Sequence, residues 1–122
     1  ALKGEPITIY GDGSQTRSLC YVSDLVSGLI KLMDSNYQEP VNLGNSEEYT
    51  ILELAERIIA TLNVSVDIIH MSLPADDPVK RRPDISLAND VLNWKPKKNI
   101  NKGVESTINW YLKNIKWWRK KS

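Results

Sequence analysis

The chain has 122 residues, which is enough for one domain and too few for two independent folding units. Hydrophobic residues make up 41% of it, so a globular core needs neither metal nor disulfides. The one cysteine, Cys20, cannot form an internal disulfide, and with His70 as the one histidine no zinc-ligand spacing exists. No apolar run approaches the 18 residues that a membrane span requires.

The formal net charge of +1 conceals a strong asymmetry along the chain. Residues 1–94 contain seven basic and fourteen acidic side chains, whereas residues 95–122 contain nine basic and one acidic. The four tryptophans lie at or after residue 94. Basic residues interleaved with aromatic ones can bind nucleic acid. We favour instead a core role for Trp94 and Trp110 and a solvated basic helix end after them.

The first predicted elements are a strand, a turn and a helix. Pro6–Tyr10 alternates apolar and polar β-formers and stops at the glycine-containing turn Gly11–Ser14. From Val22 the apolar residues recur at helical spacing, which predicts an amphipathic helix with this stripe facing the core. The stripe consists of Val22, Leu25, Val26, Leu29, Ile30 and Met33.

The middle of the chain predicts two further strands around a second helix. Val41–Leu43, between Pro40 and Gly44, has the pattern of a short strand. Thr50 and Glu53 form a capping box that opens a helix ending near Leu62. Val66–Met71 is the third strand candidate.

The last part predicts a loop and two helices. Pro74–Pro83 is too rich in proline and charge for a regular element. Asp84 can cap a short helix that runs to Leu92, and Asn101 can cap the final helix. Three short strands and four helices indicate an α/β, α+β-like fold. The inner face of the final helix is predicted to be Val104, Ile108, Tyr111, Leu112 and Ile115.

Two segments have the composition of an anion site. The glycine turn after the first strand leads to Arg17, and a glycine turn with an arginine fork suits a nucleotide or diphosphate. The alternative is that Arg17 pairs with Asp12 or Asp24. The second segment, residues 76–84, contains three consecutive cations between acids and prolines, and it is either an anion-binding loop or a solvated loop.

No complete catalytic set is present in the sequence. The glycine turn lacks the third glycine of the dinucleotide fingerprint, with Thr16 in its place. No tyrosine is followed four residues later by lysine, the acid/base pair of short-chain dehydrogenases. His70 and Cys20 are interpreted as structural.

Taken together, the motifs resemble the C-terminal portion of the UDP-glucuronic acid decarboxylases. These enzymes are extended short-chain dehydrogenases/reductases of the NAD-dependent epimerase/dehydratase family. The resemblance covers roughly residues 3–115, with one departure, Leu19, where the family usually has Phe. The segments in question are residues 4–17, 21–24, 40–45, 50–55, 76–84 and 92–96.

The resemblance implies a fragment of an NAD-dependent lyase that converts UDP-glucuronate to UDP-xylose. In this family a Rossmann part binds NAD and supplies the catalytic pair, and a smaller C-terminal part binds the nucleotide sugar. This sequence matches only the second part, so we expect a nucleotide-sugar-binding domain at residues 1–116, a basic tail at 117–122, and no activity of the chain alone. Family members are cytoplasmic or lie in the Golgi lumen, and the residues do not decide between these compartments.

Position by position, the resemblance assigns roles to individual residues. The strand that contains Ile7 and Tyr10 is expected to line the uracil, mainly through its backbone. Arg17 matches the arginine at the ribose and diphosphate, and Arg81 matches a loop arginine that reaches the diphosphate or the sugar. Asp24 is expected to cap a helix, and Asn45 to stabilise a turn. The expected substrate-binding residues are Ile7, Tyr10, Gln15, Arg17, Asn42 and Arg81.

Two alternatives to this assignment stay open. The first is another nucleotide-sugar enzyme of the same fold, either a 4,6-dehydratase or a 4-epimerase. The second is a stand-alone module that binds an anion or nucleic acid. The expected partners are a UDP-sugar and, for the fragment, further copies of itself; the longer protein is expected to be a homodimer. Neither a metal nor a nucleic-acid partner is expected.

Overall fold

A computed structural model describes residues 1–115, and the expected basic tail at 117–122 lies outside these residues. The described part contains four helices and five short strands, which confirms the α/β prediction. In chain order the elements are β1 (Ile7–Tyr10), β2 (Thr16–Arg17), α1 (Val22–Met33), β3 (Tyr49–Thr50), α2 (Ile51–Leu62), β4 (Ile68–Met71), β5 (Lys80–Arg81), α3 (Ser86–Leu92) and α4 (Ile100–Lys113).

The strands form two small sheets. β1 and β4 pair in parallel, with Ile7 opposite Ile68 and Tyr10 opposite Met71. The second sheet has the order β3-β2-β5, with β2 antiparallel to β3 and parallel to β5. The first sheet carries the side chain of Ile9, which is 1% exposed.

The helix α2 begins as the sequence predicts. The Thr50 hydroxyl accepts a hydrogen bond from the Glu53 amide at 3.0 Å, and the Glu53 carboxylate accepts one from the Thr50 amide at 2.7 Å. The helix ends at Asn63, whose φ of 52° is the left-handed conformation common at helix C-termini.

A buried hydrophobic cluster lies between α1 and α3. It comprises Ala88, Leu92 and Trp94, with Leu32 and Leu43 packed against it. The Trp94 indole N–H donates to the Asp24 carbonyl at 3.1 Å and the Ser27 hydroxyl at 3.0 Å. The core role predicted for Trp94 is therefore confirmed. Trp110 is 48% exposed, so the core role predicted for it is wrong.

The face of α1 turned toward this core differs from the predicted one. Asp24 and Gly28 are buried, and Leu25 and Leu32 are half-buried. The stripe residues other than Leu25 are exposed, including Met33 at 81%. The helical spacing was correct, but α3 and Trp94 contact the adjacent face. The exposed stripe is Val22, Val26, Leu29, Ile30 and Met33.

The predicted strand Val41–Leu43 is not a strand among residues 1–115. Val41 and Leu43 still pack against the Trp94 cluster, so their apolar character is used, but no neighbouring strand pairs with their backbone. The opposite error occurs in the loop Pro74–Pro83. It contains the short strand β5. Pairing with β2 gives the backbone N–H and C=O groups of this strand the hydrogen-bond partners that the loop itself does not provide.

Three predicted caps are also placed differently. The side chain of Asn99, not of Asn101, caps α4 by accepting from the Lys102 amide at 3.0 Å. Asp24 caps no helix and accepts instead from the amides of Lys97 and Lys98 at 2.9 and 2.7 Å. Asp84 lies two residues before the start of α3 and accepts from the Ser86 amide at 2.9 Å, with Ile85 at the cap position.

An apolar cavity of about 550 Å³ is lined by residues of both α2 and α4. Leu54, Ile58 and Leu62 line one wall, and Val104 and Ile108 line the other. Ile108 is buried as predicted, whereas Tyr111 and Leu112, from the predicted inner face, are 41% and 47% exposed. Among residues 1–115, none of the four helices has the length and hydropathy of a membrane span.

Candidate nucleotide-binding site

The turn between β1 and β2 is shaped by two glycines and one aspartate. Gly11 and Gly13 have φ values of 72° and 82°, which favour glycine. The Asp12 carboxylate accepts from the amide and the hydroxyl of Ser14, and these hydrogen bonds lower the pKa of Asp12 below its ordinary value. The Gly13 carbonyl accepts from the Leu52 amide at 3.1 Å, which fixes the turn to the first turn of α2.

Gln15 joins the end of β1 to the start of β2 and α2. Its side chain is buried, and its amide group donates to the Tyr10 carbonyl at 2.7 Å. The backbone carbonyl of Gln15 accepts from the Ile51 amide at 3.1 Å. The structure thus gives Gln15 a structural contact, and its proposed contact with a ligand stays a prediction.

Arg17 and Arg81 lie side by side on adjacent strands. The parallel register of β2 and β5 makes them Cα partners, so both side chains leave the same face of the sheet. Tyr49 is the partner of Arg17 on the other side, in β3. One face of this sheet therefore carries the row Tyr49, Arg17 and Arg81, although all three residues lie far apart in the sequence.

The guanidinium of Arg17 is held by three acceptors. Nη1 donates to the carbonyls of Thr16 and Pro78 at 2.7 and 2.8 Å, and Nη2 donates to the Asp77 carboxylate at 2.5 Å. Asp77 is thus the carboxylate partner of Arg17, whereas the sequence alternative named Asp12 or Asp24. A guanidinium has five N–H donors, so two remain for a ligand.

Arg81 is exposed, and among residues 1–115 its guanidinium has neither a hydrogen bond nor an ion pair. Its neighbour Lys80 is the Cα partner of Thr16 and points to the opposite face of the sheet. On that face the Thr16 hydroxyl donates to Glu48 at 2.7 Å, and this hydrogen bond lowers the pKa of the Glu48 carboxyl.

The remaining predicted positions surround this row less directly. Ile7 is half-buried on the inward face of β1, whereas Tyr10, on the opposite face, is 52% exposed. Asn42 is exposed in the segment between α1 and β3 and belongs to neither sheet. Strand alternation therefore prevents the side chains of Ile7 and Tyr10 from contacting one ligand on the same face.

Sequence reasoning missed Asp77 and Tyr49. Asp77 belongs to the charged loop that the sequence singled out, but its partner depends on the pairing of β2 with β5, and no local pattern encodes that pairing. Tyr49 lies beneath the Arg57 guanidinium, whose carbon is 5.3 Å from the ring centroid. An aromatic residue just before a capping box is a weak signal that could have drawn attention to it.

His70 and Cys20 have the structural contacts that were expected of them. The His70 Nδ1 lies 2.8 Å from the Gly11 carbonyl, where it steadies the glycine turn. Cys20 packs against the Trp94 cluster, and burial raises the pKa of its thiol. Among the described residues, no three His, Cys, Asp or Glu side chains are grouped to hold a metal ion.

The described residues do not fit NAD. A dinucleotide site uses a glycine turn that leads directly into a helix, whose N-terminus binds the pyrophosphate. Here the turn from Gly11 to Ser14 leads into the strand β2, and the amides of Gly11 and Ser14 donate to the Met71 carbonyl and the Asp12 carboxylate. A cofactor of that kind needs residues outside the part of the chain that the structure describes.

The chain is similar to known proteins in both sequence and fold. The sequence profile of the GDP-mannose 4,6 dehydratase family matches residues 1–107. UDP-glucuronic acid decarboxylase 3 of Arabidopsis thaliana is 48% identical over 104 residues, which is 85% of this chain and 30% of that protein. The chain thus spans a minor part of the length of this relative.

Solved structures with this fold include two epimerases. Epimerase Mth375 of Methanothermobacter thermautotrophicus has a TM-score of 0.94 and 27% identity, covering 98% of this chain and 36% of that one. UDP-glucuronic acid 4-epimerase of Bacillus cereus, solved with UDP-glucuronic acid and NAD, has a TM-score of 0.85 and 26% identity, covering 93% of this chain and 37% of that one.

Proposed function

The chain belongs to the GDP-mannose 4,6 dehydratase family, and on that basis we propose that it is the nucleotide-sugar-binding part of a UDP-glucuronic acid decarboxylase. The resemblance seen in the sequence motifs is confirmed by the match to these decarboxylases. The conversion of UDP-glucuronate to UDP-xylose belongs, in this proposal, to a longer protein that contains the residues for NAD and for acid/base catalysis.

The pairing of Arg17 with Arg81 is the observation that supports this proposal most strongly. Adjacent parallel strands are about 4.8 Å apart. Two guanidinium groups that leave the same face at that spacing can bind the two phosphates of a diphosphate, each through directional charge-assisted hydrogen bonds. Because Arg81 has no partner among residues 1–115, it can bind a ligand without breaking an existing hydrogen bond or ion pair.

The free edge of β1 supports a binding place for the base. The amides of Ile7 and Gly11 donate to β4, to the carbonyls of Asp67 and Met71. By strand alternation the amides of Thr8 and Tyr10 face the opposite edge, where among the described residues no strand pairs with them. The Tyr10 carbonyl on this edge already accepts from the Gln15 side chain, so a base would use the two amides, to which a carbonyl of uracil can hydrogen-bond.

The second candidate for the longer protein is a 4-epimerase or a 4,6-dehydratase, because the similar solved structures include epimerases. These enzymes would use the same diphosphate and base contacts and differ at the sugar. The affinities of the longer protein for UDP-glucuronate, UDP-glucose and dTDP-glucose distinguish the two candidates. The decarboxylase proposal requires UDP-glucuronate to bind most tightly.

UDP binding to the 122-residue chain tests the proposal directly. Arg81→Ala is expected to weaken UDP binding about tenfold or more, since a hydrogen bond to a charged group contributes ~1.5–3 kcal/mol. Lys80→Ala is the matched control, because Lys80 leaves the opposite face of the same strand. Equal effects of the two substitutions in a calorimetric titration would contradict the proposed site.

We propose in addition that the chain self-associates and that the longer protein is a homodimer. The exposed stripe of α1 supports self-association of the chain, because contiguous apolar surface of this kind usually marks an interaction site or an aggregation risk. Support for the homodimer comes only from the resemblance to the family.

A further inference from the structure

We infer that Asp77 is a positioning residue for nucleotide-sugar binding, which fixes the Arg17 guanidinium so that its remaining N–H groups are presented beside Arg81. This inference rests on the proposed function, because it concerns the same diphosphate site. It assigns a role to a loop carboxylate that would, by charge alone, be expected to repel the ligand.

The contacts of Arg17 come from three directions. One acceptor is the carbonyl of its own neighbour in β2, and the other two, Pro78 and Asp77, belong to the loop before β5. The backbone of this loop is itself bound to β2, since the Thr16 amide donates to the Val79 carbonyl at 2.9 Å. Strand and loop thus hold the guanidinium between them.

The burial of this pair is intermediate. The side chains of Arg17 and Asp77 are 21% and 29% exposed, whereas Arg81 is exposed. An arginine side chain loses rotamer entropy when it is fixed in one geometry. In Arg17 the loop contacts impose this order before a ligand arrives, so less ordering remains for the binding step.

The direction in which anion binding changes when Asp77 is removed distinguishes a positioning role from a purely electrostatic one. Arg17 and Asp77 together are formally neutral, so the net attraction of the row for an anion comes from Arg81. If Asp77 acted only through its charge, its removal would strengthen anion binding. If Asp77 acts by positioning Arg17, its removal weakens binding even though a negative charge is lost.

The neighbouring carboxylate provides a matched control. Asp76 precedes Asp77 in the same loop and is exposed, with no hydrogen bond or ion pair among the described residues. A general effect of loop charge would be shared by Asp76→Ala and Asp77→Ala. A positioning effect belongs to Asp77 alone. Asp77→Asn keeps an acceptor oxygen for Arg17 and removes the charge.

The binding experiment titrates the 122-residue chain with UDP and with uridine. We expect Asp77→Ala to weaken UDP binding about tenfold, since the Arg17 contact to a phosphate is a charge-assisted hydrogen bond. Asp77→Asn should recover most of this loss, Asp76→Ala should stay within twofold of the unsubstituted chain, and uridine binding should not change. Unchanged or tighter UDP binding by Asp77→Ala would overturn the inference.

A second readout requires no ligand. In ¹⁵N NMR, rotation of the Arg17 guanidinium should be slow and that of Arg81 fast, and Asp77→Ala should make Arg17 as fast as Arg81. If the unsubstituted chain binds no UDP, the proposed function fails for this chain, and this measurement still decides whether Asp77 positions Arg17. An Arg17 rotation rate that Asp77→Ala leaves unchanged would reject the positioning role.

Discussion

Gly28 fixes the distance between α1 and the Trp94 cluster. A Cβ atom at this position would lie 2.9 Å from Trp94 Cε2 and 3.1 Å from the methyl groups of Leu43. Gly28→Ala is expected to destabilise the fold by about 1–3 kcal/mol, because overpacking a filled core forces its side chains apart. Chemical denaturation of the two proteins measures the difference.

Gly103 provides the opposite case within α4. The atom nearest to a Cβ there is Tyr21 Cδ2 at 3.7 Å, an ordinary contact. Gly103→Ala should therefore stabilise the chain by up to about 1 kcal/mol, the helix-propensity difference between the two residues. A Gly28→Ala variant that was stabilised like Gly103→Ala would show that the close packing described at Gly28 is wrong.

At the scale of elements, the α2 capping box predicts a specific loss. Thr50→Ala removes the hydroxyl that accepts from the Glu53 amide. The expected cost is about 1 kcal/mol of unfolding free energy. Thr61→Ala is a suitable control, because its hydroxyl bonds within the same helix to the Arg57 carbonyl and caps nothing. Equal losses would contradict the capping role.

The exposed stripe of α1 predicts that the isolated chain self-associates. Ile30→Glu places a charge in the stripe, where Ile30 is 52% exposed and its replacement requires no core rearrangement. Sedimentation velocity should show association that Ile30→Glu reduces and that Glu56→Gln, on the exposed side of α2, leaves unchanged. A monomer at every concentration would contradict this prediction.

The elements also show what the sequence could predict. The boundaries of α1 and α2 follow from apolar spacing and from the capping box, both of which are local signals. The buried face of α1, the unpaired segment at residues 41–43 and the strand β5 depend on neighbours distant in the sequence. The glycine turn pointed to Arg17 and the charged loop contained Arg81, and the resemblance then assigned both to the ligand, whereas the contact of Asp77 with Arg17 became visible only once β2 and β5 were paired.

At the scale of the whole molecule, acid should weaken the fold. Hydrogen bonds to the ionised carboxyls hold the pKa values of Asp12, Glu48, Glu53 and Asp84 below their ordinary values of 3.8 for Asp and 4.5 for Glu. A lowered folded-state pKa stabilises the fold above the unfolded-state value, and this stability is lost as the pH falls through the folded-state value.

The unfolding free energy should therefore be nearly constant from pH 7 to about pH 5 and fall below about pH 4.5. Denaturant titrations across this range measure it. Glu53→Gln should make the unfolding free energy fall less steeply as the pH decreases, because it removes one of the four carboxyls whose pKa is lowered. An unfolding free energy that rises as the pH falls from 5 to 3 would contradict the assignment.

Because the proposal assigns NAD binding and acid/base catalysis to a longer protein, it predicts no catalysis by this chain alone. The described residues do not fit NAD, and the sequence contains no tyrosine with lysine four residues later. Incubation of the chain with UDP-glucuronate and NAD should yield no UDP-xylose above the level of a boiled control. Measurable product would show that the catalytic groups lie within these 122 residues.

The central claim is that the row Tyr49, Arg17 and Arg81, with the free edge of β1, forms a nucleotide-sugar site. NMR chemical-shift mapping with UDP tests it most directly. The account predicts saturable shifts at the backbone of Thr8 and Tyr10 and at the guanidinium signals of Arg17 and Arg81. Shifts confined to the α2–α4 cavity, around Ile58 and Val104, would contradict it.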